Sequence, residues 1–363
     1  MTSTALICLG VLIYTYLGYP VLIAVLARLS PMRIKPDPAF LPTVSVLIPV
    51  YNARPYIGPK LDSLLALDYP DDQIEIILSS DASNDGSDEV IRKYAERHPH
   101  IKVLRAERRS GKPAGINRML QEATGEVLFM TDIRQPLDPN ALRRLVAPLA
   151  DPTVGAVSGN LMLVGKSGAG AYWHYEKWLR RSEGRFRSVV GVSGSIYALR
   201  RSDMQPLAND LILDDLWVPM RLRLQGRRIL FEETALAFDE AFEDQREFGR
   251  KVRTLAGNYQ LFARMPAILV PWLNPSFFEV MSHKVLRLLC PWALILLAGV
   301  TLFGIQEPLL MMLALGQGIF YAAALAGKRA GRLGSLARTF VVLNAAAVVG
   351  LYRYLAAAQK VTW

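Results

Sequence analysis

The sequence is poor in the residues that build metal and disulfide scaffolds. Among 363 residues there are two cysteines, Cys8 and Cys290, both inside apolar runs. That excludes a disulfide-stapled domain and a thiolate zinc site. The four histidines (His98, His100, His174, His283) show no HExxH or comparable ligand spacing. Charge is scarce as well: 20% of residues are Asp, Glu, Lys or Arg, against about 25% in a soluble domain. Apolar residues make up 52%, and mean hydropathy is +0.21. Such a composition excludes disorder, collagen and coiled coil, and places part of the apolar excess in lipid. Acid is the scarcer sign, with 32 Asp and Glu against 42 Lys and Arg, a net charge of +10. That balance suits anionic lipid or a phosphate-bearing substrate. Nucleic acid has only the net charge in its favour and is not expected as a partner.

The long apolar runs lie toward the two ends of the sequence. Residues 4–27 carry no charge before Arg28, enough to cross a hydrocarbon core of about 30 Å. A signal peptide would want basic residues at its start, and MTSTA has none, so residues 1–29 read as a retained membrane helix. Three more runs, 286–304, 308–327 and 337–358, make residues 286–358 a set of about three membrane helices. Residues 266–289 mix Trp, Phe and Val with His283, Lys284 and Arg287. They read as an amphipathic segment lying in the interface, or as part of a longer tilted span. Basic residues follow the first span (Arg28, Arg33, Lys35) and separate the last two (Lys328, Arg329, Arg332, Arg338), while Gln306–Glu307 carries none. The positive-inside rule then puts both basic loops, and with them residues 30–265, in the cytosol. The expected place is a cytoplasmic (inner) membrane, crossed several times.

Between the spans, short apolar β-branched runs alternate with amphipathic stretches. TVSVLIPV (43–50), IEIILSS (74–80), IKVLRA (101–106) and EVLFMTD (126–132) read as strands, and 54–67, 85–97, 112–122 and 138–149 as helices. That alternation predicts βαβ units and a mainly parallel sheet. Ligands of such sheets bind beyond the carboxyl ends of the strands. Tyr51, Asn52, Asp81 and Asp132 stand there. No GxGxxG follows the first strand and no GxxxxGK(S/T) occurs, so neither a dinucleotide fold nor a P-loop is indicated.

The chemistry available at these ends is acidic, with one nearby cation. Asp81 and Asp132 suit ribose, base edges or a divalent ion, and Lys112 suits a diphosphate. Asp81 and Asp85 also read as residues that merely cap a helix and shape a turn. Asp214 and Asp215 precede an amphipathic helix. Asp214 reads as its N-cap, which leaves Asp215 as a candidate general base. Arg250 and Arg253, three apart, share a helical face and suit either a diphosphate leaving group or a lipid headgroup layer.

Taken together these segments resemble the membrane-bound branch of family 2 glycosyltransferases, relatives of the bacterial cellulose, chitin, hyaluronan and poly-N-acetylglucosamine synthases, over about Thr43 to Arg287. VSVLIPVYNA resembles the opening strand and nucleotide-contacting turn. SDASNDGS resembles the second acidic motif, with Asp81 toward the nucleobase, and RSGKPAGIN the segment that brings Lys112 to the diphosphate. FMTDIRQPLDPNAL stands at the D-x-D motif. GVSGSIYALRR, with Gly194 and Ser195, resembles the acceptor-side segment. LDDLWVPMRLRLQGRRI resembles the motif in which Asp215 is the base, with Asp214 and Trp217 beside the acceptor. RKVRT occupies the place of Q-x-x-R-W.

The resemblance implies a GT-A fold and an inverting transfer of a sugar from a nucleoside-diphosphate sugar, a UDP-sugar first. The acceptor would be a polysaccharide or a polyprenyl-linked glycan at the bilayer, and polysaccharide export proteins are the implied partners. Tyr51, Asn52, Asp81, Lys112, Asp132, Arg250 and Arg253 would bind the donor, with Mg²⁺ or Mn²⁺ at Asp132. Two departures stand out. Arg134 replaces the second acid of D-x-D, and the Gln and Trp of Q-x-x-R-W are missing. The missing Trp weakens a processive reading, although Trp173, Trp178 or Trp217 could serve as an aromatic platform. The alternatives are a non-processive transferase acting on a lipid carrier and, because of Arg134, a catalytically silent nucleotide-binding scaffold of a secretion complex.

Overall fold

The computed structural model describes residues 1–164, 170–240 and 244–359. Seven strands, β1 (Val44–Val50), β2 (Ile74–Ser80), β3 (Ile101–Arg105), β4 (Val127–Thr131), β5 (Val154–Val164), β6 (Ile196–Arg200) and β7 (Arg228–Glu240), form one sheet in the order β3-β2-β1-β4-β6-β5-β7. Every residue of β1 is buried, as expected of a central strand covered on both faces. β3, β2, β1 and β4 run parallel. β6 pairs antiparallel with both β4 and β5, and β5 pairs parallel with β7. The sheet is therefore mixed and mainly parallel, the GT-A arrangement expected from the resemblance.

The chain winds outward from β1 through β2 to β3, then returns to place β4 on the other side of β1. That reversal is a topological switch point, where open α/β sheets hold their ligands. The pairing opens the crevice further. β1 pairs with β2 as far as Val50, but with β4 only as far as Leu47. Pro49, awkward inside a central strand, thus lies beyond the β4 ladder.

Six helices surround or follow these strands: α3 (Arg54–Leu65), α4 (Ser87–Ala95), α5 (Lys112–Glu122), α6 (Ala141–Val146), α7 (Gly170–Phe186) and α8 (Asp214–Leu224). One face of the sheet packs Val46, Ile48 and Phe129 against Ile57, Leu61 and Leu142 of α3 and α6. The other packs Leu47, Ile77 and Leu128 against Ile116 and Met119 of α5 and Val218 of α8.

The apolar ends of the sequence are helical. α1 (Thr2–Ile13) and α2 (Tyr19–Leu29) are joined by a π turn, as are α10 (Phe277–Val280) and α11 (Leu286–Phe303). The interleaved residues 277–285 are thus the first turns of the rod that continues as the apolar run. α12 (Pro308–Ala326) and α13 (Gly331–Leu355) fold back on each other, with Phe320 and Phe340 ring centroids 5.6 Å apart. Among the described residues, three helical stretches, 2–29, 277–303 and the 308–355 hairpin, are long and apolar enough to cross a membrane. Their outer surfaces expose Ile319, Phe303 and Leu325, as a lipid-facing surface does. Between domain and bundle runs α9 (Asp244–Arg264). α13 packs directly on it: a Cβ at Gly350 would stand 3.0 Å from the Ala256 amide nitrogen.

Candidate active site

The turns after β1 and β2 are sewn into one wall of the crevice. Asn52 adopts φ 45° and Ala82 φ 58°, left-handed conformations that need support. The support is reciprocal. The Asn52 amide donates to Ser83 Oγ at 3.1 Å, and the Asn84 amide donates to Asn52 Oδ1 at 3.0 Å. The Ala53 and Arg54 amides donate to Ser87 Oγ and Asp85 Oδ2, each at 3.0 Å. Asp85 thus does the turn-shaping work, and Asp81 does not. Asp81 reaches across to the loop before α5, accepting from the Ser110 amide at 2.7 Å, Ser110 Oγ at 3.0 Å and the Gly111 amide at 2.9 Å. A carboxylate has about four acceptor sites, so capacity remains for a ligand. The Arg109 guanidinium lies 3.8 Å from the centroid of the Tyr51 ring.

Gly111, at φ 87°, turns the chain so that Lys112 opens α5 beneath the crevice. Its ammonium lies 3.1 Å from Asp132 Oδ1 and 3.3 Å from Asp214 Oδ1. Burial pulls the ammonium's pKa down, but Asp132, Asp214 and Asp215 outweigh it and hold it above the usual lysine value. One cation therefore gathers three acids from two separate elements. Lys60 supports the same turn from below: fully buried, it donates to Thr131 Oγ1 and to the Gln135 carbonyl, both at 2.7 Å. Burial, opposed by Asp132, lowers its pKa to about 7.

Asp215 sits in the first turn of α8, against the loop that carries Gly194. The Val192 amide donates to the Asp215 carbonyl at 3.0 Å. A Cβ at position 194 would stand 3.1 Å from Asp215 Oδ2, so glycine there leaves the carboxylate uncovered. Ser195 is held from behind, its carbonyl accepting from Thr131 Oγ1 at 2.7 Å. Burial first, then the Asp214 charge, push the Asp215 carboxyl up to about 6, against the pull of Lys112. A carboxylate in this range suits proton abstraction near neutral pH.

α9 fixes the approach to these acids. Arg253 donates to the Ile212 carbonyl at 3.3 Å, and Gln260 grips the same segment by accepting from the Ile212 amide at 2.9 Å and donating to the Asp210 carbonyl at 2.9 Å. Arg250 is exposed, within electrostatic reach of Asp239 and Asp132. Arg134 is engaged by Asp239 of β7 at 3.0 Å, and Gln135 Nε2 donates to the other Asp239 oxygen at 2.7 Å. Asp239, Lys60 and Gln260 are the residues sequence reasoning missed. Each lies far in sequence from the motif it supports, and none carries a local signal.

Behind Asp215 opens a cavity of about 450 Å³ that runs from Gly191 and Leu213 to Tyr16, His283 and Asn344 of the membrane helices. Trp173 lines it. Trp217 instead packs between the apolar clusters on either side of α8 and is not part of that lining. Asp81, Lys112 and Asp132 stand on the crevice side of Asp215, outside the cavity wall. The described structure thus brings together Lys112, Asp132, Asp214, Asp215 and Gly194, and keeps Tyr51, Asn52 and Asp81 on one wall.

Comparison with known proteins agrees with this geometry. The family described as Glycosyl transferase family 2 matches residues 45–204. The solved mannosyltransferase PcManGT from Pyrobaculum calidifontis, in complex with GDP-Man and Mn²⁺, superposes with a TM-score of 0.79 at 26% identity, covering 98% of this chain and all of that one. The "Probable glycosyltransferase YdaM" of Bacillus subtilis (strain 168) is 26% identical over 68% of this chain. A poly-beta-1,6-N-acetyl-D-glucosamine synthase of Staphylococcus aureus (strain COL) is 28% identical over 54%. The chain spans 60% and 49% of the length of those two relatives. The switch-point crevice, the acids at its strand ends and these likenesses agree on a GT-A fold in which residues 45–204 match Glycosyl transferase family 2.

Proposed function

We propose that the enzyme moves a sugar from a nucleoside-diphosphate sugar to a hydroxyl of a glycan acceptor held at the membrane, with inversion at the anomeric carbon. The observation that carries this reading is Asp215. It stands between a crevice that gathers Lys112 and two further carboxylates, Asp132 and Asp214, and a cavity that reaches the membrane helices. Tyr51, Asn52 and Asp81 hold the nucleoside. Asp215 takes the proton as the acceptor oxygen attacks. The bond to the diphosphate breaks on the opposite side, and its electron pair leaves with the phosphate. Lys112, Arg250 and Arg253 stabilise that departing charge.

Among the described residues no group of three or more His, Cys, Asp or Glu side chains is arranged to hold a metal. The half-exposed Asp132 carboxylate nevertheless fits Mg²⁺ or Mn²⁺. Such ions keep several waters and need only one or two carboxylates beside substrate phosphates. Asp132 would hold the ion, which when bound neutralises charge on the leaving diphosphate. Arg134, turned to Asp239, is a peripheral departure on this reading.

On the acceptor side, Asn258 and Asn344 line the cavity, and each has a buried side-chain oxygen with no hydrogen-bond partner among the described residues. Such orphaned acceptors match sugar hydroxyls. The basic residues Lys328 and Arg329 at the turn between α12 and α13, with Arg332 and Arg338, support a cytosolic catalytic domain on an inner membrane. The reading is tested by nucleotide release from a panel of UDP-, GDP- and dTDP-sugars in membranes carrying the protein. At least one should be turned over, and Asp215→Asn should stop transfer. Turnover of none, or transfer by the variant at wild-type rate, refutes it.

A further inference from the structure

The membrane end of the cavity behind Asp215 carries an imbalance of charge. Its acids Glu176 and Glu183 already face basic side chains of the chain, although Oε2 of Glu183 has no hydrogen-bond partner among the described residues. Glu176 accepts from Arg287 at 2.6 Å and lies 3.5 Å from His283, while Glu183 meets His283 at 2.7 Å and accepts from Tyr19 at 2.7 Å. Nearer the mouth, Lys251 pairs with Glu247 at 2.8 Å.

Two cations on the same wall have no such partner among the described residues. Lys284 makes no ion pair or hydrogen bond. Arg180 donates only to neutral groups, Ser158 Oγ at 2.8 Å and the Gly191 carbonyl at 3.3 Å. Burial lowers the pKa of Arg180, and the carboxylates that oppose it are Glu183, Glu176 and Asp215, so it stands between the base and the buried network. One further donor of the wall, Nε of Arg287, is buried without a hydrogen-bond partner among the described residues. A cation withdrawn from water without a counter-charge is costly. Two such cations on one wall describe the place of an anion that the described residues do not themselves supply.

We propose that Arg180 and Lys284 form an anion subsite at the membrane end of the cavity, and that it holds the phosphate or diphosphate through which a lipid carries the acceptor sugar. The lipid is indicated by the wall itself: Tyr16, Leu343, Asn344 and Ala347, all from helices long and apolar enough to cross a membrane, complete the cavity at this end. An anion bound there lies where a tail can continue into the bilayer while its sugar points to Asp215. The phosphate takes no part in bond making; it positions the hydroxyl that does. This inference rests on the reading of the cavity as the acceptor side and narrows the acceptor from any glycan to a lipid-linked one.

The test uses the full chain in detergent with its donor crevice filled by saturating nucleoside diphosphate. The probes are farnesyl diphosphate, farnesol and inorganic pyrophosphate. Farnesyl diphosphate should bind. Lys284→Gln and Arg180→Gln should each weaken it roughly 10- to 100-fold, the cost of losing a charged hydrogen-bond partner, while Lys284→Arg retains it. Nucleoside diphosphate affinity measured on the same samples shows that the variants fold and stays at the wild-type value. Unchanged affinity in both Gln variants overturns the proposal, as does displacement of farnesyl diphosphate by nucleoside diphosphate. Equal binding of inorganic pyrophosphate overturns the lipid assignment. Failure of wild type to bind any nucleotide would count against the donor reading, and the farnesyl diphosphate result would stand apart from it.

Discussion

Asp215→Asn removes the proton acceptor and almost nothing else, so its consequences can be worked through. The side chain keeps its shape beside Gly194, and the donor residues lie on the far side of it. Transfer should fall by roughly 10²–10⁴-fold, the usual contribution of a positioned base, with nucleoside diphosphate affinity unchanged. The pH profile sharpens the test. With the carboxyl at about 6, wild-type transfer should be near its plateau at pH 7 and about tenfold lower at pH 5, because only the ionised form accepts a proton. The variant's residual rate should show no such limb. Asp214→Asn should move the wild-type limb to lower pH, since the Asp214 charge is one of the groups that raises Asp215.

Stability must move the opposite way. Folding raises this carboxyl's pKa, so the folded state favours its protonated form. The contribution is favourable below the unfolded value near 4 and is lost as pH rises through about 6. Asn, which carries no charge, should therefore stabilise the protein at pH 8, by on the order of 1–3 kcal/mol, and leave it unchanged at pH 4. Thermal unfolding in detergent at the two pH values reads this directly. A variant that keeps more than about a tenth of wild-type transfer, or a wild-type profile flat between pH 5 and 7, would refute the assignment of the base.

Gly194→Ala places a methyl group 3.1 Å from Asp215 Oδ2 and should lower kcat with little change in donor KM; a wild-type kcat would show that the carboxylate works from another face. EDTA should abolish transfer and Mg²⁺ or Mn²⁺ restore it, with Arg134→Ala losing less than about tenfold because the side chain is engaged by Asp239 rather than by the donor; full activity in EDTA together with a dead Arg134→Ala would reverse those roles. A reporter placed after Gln306 should read as external and one near Gly331 as cytosolic, and the opposite pattern would remove access to a cytosolic donor. Gly350→Val should push α13 off α9, where even a Cβ would stand 3.0 Å from the Ala256 nitrogen, and should cut transfer more than nucleotide binding. Equal loss of both would mean that α13 only holds up the fold.

Much of the crevice side was legible because its signals are local. Strands β1 to β4 begin and end within two residues of the apolar runs 43–50, 74–80, 101–106 and 126–132, and the central β1 and β4, buried on both faces, are almost wholly apolar. The acids that follow them are placed by the same rule that ends the strands. The roles within a motif were less legible. SDASNDGS holds two acids that look alike on paper; only the fold shows Asp85 shaping the turn and Asp81 holding the loop of Lys112. Arg134 invited the reading of a catalytically silent scaffold, and its partner Asp239 lies over a hundred residues away at the far edge strand. Trp217 looked like an acceptor platform from its place near Asp215, yet two residues along a helix turn a side chain to another face, and it packs against the core while Trp173 lines the cavity.

The cavity side of Asp215 was obscure for a deeper reason. Asp215 stands where it does because segment 210–215 is gripped by Gln260 and Arg253 of α9, and α9 is in turn packed against α13 through Gly350. Neither contact has a sequence period or a neighbouring motif to announce it. The cavity is likewise made by elements from opposite ends of the chain, Tyr16, Arg180, Lys284 and Asn344. In sequence, Lys284 and Arg287 are simply charges before an apolar run, the ordinary appearance of a helix at the interface. Their different fates follow from which carboxylate each can reach: Arg287 finds Glu176, and Lys284 finds none among the described residues. A local pattern can place a charge at the membrane surface; only the assembled helices decide whether that charge is neutralised or left to bind something else.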